Sequence, residues 1–100
     1  MGEKEKLREA ADQAYNEAVG KAIEVYKETT AKADRALMEA AKTYKEAKAT
    51  ANSKEAKEAA KKALEEAKSA HKEAKKAAKK TYEEAQAQAS KNWREQTAHL

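Results

Sequence analysis

No proline occurs anywhere in this 100-residue chain, and its two glycines stand at positions 2 and 20. A helix that starts near the N-terminus therefore meets no obligatory break, because proline is the residue that removes an intrahelical hydrogen bond and clashes with the preceding turn. Alanine supplies 26 residues, and Glu, Lys, Gln, Arg and Leu supply much of the rest. These are the strongest helix formers. Only fourteen larger apolar side chains remain: four Leu, one Ile, two Val, two Met, four Tyr and one Trp. A β-sandwich or barrel needs more β-branched and aromatic residues and frequent Gly/Pro turns. The expected fold class is all-α.

The stretch Ala49-Thr50-Ala51-Asn52-Ser53 is where local hydrogen bonding competes best with the helix. Ser53 or Asn52 can cap a new helix, and Glu55 suits the positive end of its dipole. This reading gives one domain over 1–100: a helix over 4–50, a turn at 51–53 and a helix over 54–98. Gly20 costs about 1 kcal/mol in a helix interior, which its helix-favouring neighbours absorb. A break at 29–34 would instead give three helices of unequal length, which pack poorly.

The apolar positions repeat in steps of 4, 3 and 4. In the first helix they are Leu7, Ala11, Ala14, Ala18, Ala22, Val25, Thr29, Ala33, Ala36, Ala40, Tyr44, Ala47 and Ala51. In the second they are Ala56, Ala60, Ala63, Ala67, His71, Ala74, Ala78, Tyr82, Ala85, Ala89, Trp93, Gln96 and Leu100. Eleven residues over three turns keep a stripe nearly straight, whereas a heptad drifts off it. Folding about residues 51–52 pairs position i with 103 − i. Tyr44 then meets Ala59 and Ala60, Val25 meets Ala78, Tyr82 meets Ala22, Tyr15 meets Ala89 and Trp93 meets Ala10 and Ala11. Large residues facing small ones let two helices approach closely.

Buried alanine contributes little, because stabilisation follows the apolar area removed from water. A second stripe runs beside the first, through Tyr15, Val19, Ile23, Tyr26, Thr30, Leu37 and Ala41. One partner helix cannot cover both stripes. The expectation is a homodimer of antiparallel hairpins, a four-helix bundle. Its core and interface would be Leu7, Tyr15, Val19, Ile23, Val25, Tyr26, Leu37, Tyr44, Leu64, His71, Tyr82 and Trp93.

Motifs for catalysis are missing: no G-x-S-x-G, no Gly-rich phosphate loop, no H-E-x-x-H and no calcium loop. No catalytic residue, cofactor or small-molecule substrate is expected. There is no cysteine, so no disulfide framework forms. His71, on the apolar stripe, is the one candidate metal ligand or pH switch, against an ordinary role as an interface histidine packed on Ala33. Charge points to one further surface. The net charge is +4, and the excess lies after residue 53, concentrated at Lys72, Lys75, Lys76, Lys79 and Lys80. Such a face can bind an anionic partner, nucleic acid or an acidic membrane, or can simply be solvated. An alanine face has low affinity for lipid. With neither a membrane-length apolar run nor a charged-then-apolar leader, the chain reads as soluble and, if expressed in a cell, cytoplasmic.

Two resemblances follow from particular segments. Ala56-Lys57-Glu58-Ala59-Ala60-Lys61-Lys62-Ala63 and Ala85-Gln86-Ala87-Gln88-Ala89-Ser90-Lys91 resemble the eleven-residue repeats of group 3 late-embryogenesis-abundant proteins. That resemblance implies a stress protectant, disordered in water and helical on drying or at a membrane. The aromatic residues on the stripes depart from it and point to a packed fold. The run from Ser53 to Ala67 resembles the idealised helices of computationally designed bundles, with cap, acidic first turn and Ala/Glu/Lys surface. Gly20, Thr29-Thr30 and the scarcity of Leu depart from that pattern. The combined expectation is a non-catalytic, self-associating scaffold.

Overall fold

The structure, a computed structural model, describes residues 2–50 and 52–100. It is an all-α helical hairpin. Helix α1 runs Glu3–Thr50, 48 residues, and α2 runs Lys54–Thr97, 44 residues, with no strand among the described residues. Ala51, a stripe position and the first residue of the expected turn, lies outside the described residues.

The helix ends follow local chemistry. Ser53 caps α2: its Oγ accepts the Ala56 amide at 3.0 Å and its carbonyl accepts the Lys57 amide at 3.3 Å. The first bond satisfies an amide that no helical carbonyl can reach, and the second is the first regular bond of the helix. Glu55 stands in the first turn behind the cap. In the last turn of α1, the Thr50 hydroxyl donates to the Glu46 carbonyl at 2.7 Å. Thr97 does the same to Trp93 at 2.8 Å, and its own carbonyl accepts the Leu100 amide at 3.1 Å. Residues 29–34 do not interrupt α1, and Gly20 keeps a helical backbone with no positive φ.

Where the sequence reading treats 1–100 as one domain, the contacts group into two units. The terminal unit comprises Met1–Lys27 and Lys79–Leu100, and the turn-proximal unit comprises Glu28–Ala78. The spacing of their less exposed residues overlaps. In the terminal unit these recur at eleven, as Ala11 with Ala22, Tyr15 with Tyr26, Tyr82 with Trp93 and Ala89 with Leu100, and equally at seven, as Tyr15 with Ala22, Val19 with Tyr26, Tyr82 with Ala89 and Trp93 with Leu100. In the turn-proximal unit they recur at seven: Ala33, Ala40 and Ala47; Leu37 and Tyr44; Ala60, Ala67 and Ala74; Leu64 and His71. Seven-residue spacing is thus common to both units, and the eleven-residue spacing read along the whole sequence occurs beside it.

The inner face of α1 is rotated away from the expected stripe. Ala14, Ala18, Val25, Thr29 and Ala36 are exposed, while Tyr15, Val19, Tyr26, Thr30 and Leu37 from the second stripe are half-buried. Burial scales with apolar area, so a seam lined by Tyr, Val and Leu outcompetes one lined by alanine methyls. Three residues assigned to core or interface are consequently not in the interior of the chain: Leu7 is 56% exposed, Val25 50% and Ile23 37%. Leu7 also lies level with the end of α2, where no further turn is available to cover it. On α2 the half-buried face follows the expected stripe closely, with Ala56, Ala63 and Gln96 exposed and Leu64, Ser90 and Thr97 added. Full burial is reached only at Ala11, Ala78 and Ala89 among the described residues.

Candidate functional site

Three contacts between α1 and α2 carry the polar and aromatic chemistry, each within one unit. In the turn-proximal unit, Asp34 Oδ1 accepts a hydrogen bond from His71 Nε2 at 2.6 Å and pairs with Lys75 Nζ at 3.3 Å. The hydrogen bond from His71, then the one from Lys75, holds the Asp34 carboxyl below the ordinary aspartate value of 3.8. The His71 side chain is 19% exposed and Asp34 51% exposed, so this cluster sits at the rim of the seam. His71 thus has a carboxylate partner and is not simply packed on Ala33. Two of these side chains could donate to a metal ion, but the carboxylate already accepts two donors. Among the described residues no three His, Asp or Glu side chains converge.

In the terminal unit, the Trp93 indole N–H donates to Asp12 Oδ1 at 2.6 Å. Further along, the rings of Tyr26 and Tyr82 lie with centroids 5.9 Å apart and planes tilted by 53°. That is an ordinary aromatic pairing geometry. It corrects the expectation that Tyr82 faces Ala22, because here large meets large. Tyr15 and Trp93 do share a cleft with Ala11 and Ala89.

Asp12–Trp93 and Asp34–His71 both satisfy a pairing of i with 105 − i, two residues beyond the expected register. Asp12 and Asp34 are 22 residues apart, as are His71 and Trp93, and Ile23 and Tyr82 stand at the intermediate positions. Sequence reasoning identified His71, Tyr82 and Trp93 but missed the two aspartates. The signal was present as Asp12, Ile23 and Asp34 at eleven-residue spacing beside the stripe. Read as members of a solvated charged face, the aspartates gave no hint of a partner.

The five lysines proposed for anion binding are all exposed. Lys72, Lys75 and Lys76 belong to the turn-proximal unit, with Lys75 engaged by Asp34. Lys79 and Lys80 belong to the terminal unit, where Lys79 flanks a groove beside Tyr26 and Tyr82. No helix among the described residues is long and apolar enough to cross a membrane. The chain matches no protein-family profile, no characterised protein and no solved structure.

Proposed function

We propose that this chain is a non-catalytic structural protein of the designed-bundle type, a helical hairpin that works by associating with copies of itself. The observation that carries this reading is surface area. The chain exposes 8092 Å² for a mass of 11.0 kDa, where roughly 5,600 Å² is typical of a folded monomer of that mass. The difference exceeds the about 1,600 Å² that a standard protein–protein interface removes from water. Leu7, Ile23, Val25 and Met38 add exposed apolar area to that surplus. Coiled-coil packing along the eleven-residue stripes of the sequence is part of this reading, supported by the half-buried pairs Tyr15 with Tyr26 and Tyr82 with Trp93.

Sedimentation equilibrium from low to high micromolar concentration tests the reading. A species of twice the chain mass is expected, and a monomer throughout the range rejects it. A second reading is favoured by the thinness of the interior, whose buried residues are three alanines. This is a stress protectant that becomes helical only on drying or on a membrane. Circular dichroism in dilute buffer separates the two. A helical spectrum with a cooperative melt supports the scaffold, and a coil spectrum that turns helical with anionic vesicles supports the protectant.

A further inference from the structure

The terminal unit presents the same groove twice. Ile23, Tyr26, Lys79, Tyr82 and Glu83 line one, together with Lys27 and Gln86, which have no counterpart in the other, and Asp12, Tyr15, Ser90, Trp93 and Arg94 line the other. Moving eleven residues back along α1 and eleven forward along α2 converts the first five into the second five, position by position. Eleven residues are three helical turns, so both grooves open on one face of the unit, roughly 16 Å apart. Each is floored by half-buried aromatic rings, and Tyr, Trp and Arg are the residues that dominate binding energy at interfaces.

The rims are not copies. Glu83 beside the first groove is replaced by Arg94 beside the second. The charges on this face are mixed, with Lys27, Lys79 and Glu83 at the first groove and Asp12 and Arg94 at the second. A surface carrying opposite charges at equivalent places is complementary to itself. A two-fold axis between the grooves lays the first groove of one copy on the second groove of the other, bringing Glu83 toward Arg94 of the partner subunit.

We propose that this doubled aromatic groove of the terminal unit is the surface on which a second copy of the chain docks, a conclusion that rests on the self-association reading above and gives it a location. The opposite flank of α1, with Leu7 and Val25, is left outside the interface.

Charge-swap variants followed by sedimentation equilibrium test the proposal, with circular dichroism to show that each variant stays helical. Glu83→Arg and the apolar-rim variant Ile23→Lys are each expected to weaken the dimer at least about tenfold. The double variant Glu83→Arg/Arg94→Glu restores the pairing and most of the affinity, and Val25→Lys leaves it unchanged. Gln86→Lys, at an exposed position on the same rim, gives a second reading should Ile23→Lys lose helicity. A wild-type dimer that tolerates these rim variants but dissociates with Val25→Lys overturns the location and leaves self-association standing. A wild-type monomer overturns both, and retention on heparin by that monomer would assign the exposed charges to an anionic partner instead.

Discussion

Asp34 ties three elements of local chemistry together: a carboxylate on α1, an imidazole and an ammonium on α2. Its pKa is depressed in the folded chain, so the folded state favours the ionised form. By linkage, the stabilisation is fully present above the ordinary value of 3.8 and is lost as pH falls through the lower folded value. Thermal melts should therefore show Asp34→Asn below wild type at neutral pH, with the two converging well below pH 3.8. Curves that stay apart in acid would mean the substitution acts through something other than this charge. Gly20 offers the opposite case. Its backbone is helical, and a Cβ built there meets nothing within 4 Å. Gly20→Ala should raise stability by about 1 kcal/mol, through intrinsic propensity and a less free unfolded chain, as measured by urea denaturation.

Among the helix ends, the start of α2 depends on one side chain. Ser53 Oγ is the acceptor for the Ala56 amide, and no proline or glycine shares the task of starting this helix. Ser53→Ala should cost about 1 kcal/mol and speed amide exchange at residues 55–57, while exchange in the middle of α2 stays unchanged. Faster exchange along all of α2 would place the role of Ser53 beyond capping. The inner face of α1 shows a different control. Its helicity follows from composition, but its rotation follows from which side chains have most area to bury. Tyr15, Val19, Tyr26 and Leu37 turn inward, and Ala14, Ala18 and Ala36 turn out.

For the molecule as a whole, close approach rests on small side chains at the points of deepest burial, Ala11, Ala78 and Ala89. Ala89→Leu should overpack that contact and destabilise the hairpin by roughly 1–3 kcal/mol, lowering the melting temperature. An unchanged or higher melting temperature would mean the seam has room to spare. The proposed self-association predicts a second signature, a melting temperature that rises with chain concentration, because a partner that binds only the folded chain stabilises it.

Helix content, the place of the turn and the inner face of α2 were legible in the sequence. They depend on local propensity, on the cap at Ser53 and on a stripe whose large residues, Tyr82 and Trp93, already lie on it. The rotation of α1 and the partners of His71 and Trp93 were settled only in three dimensions. Two apolar stripes lie side by side on α1, and a sequence does not say which of them a single neighbouring helix will cover. A two-residue difference in register likewise decides whether a ring meets a methyl group or an aspartate.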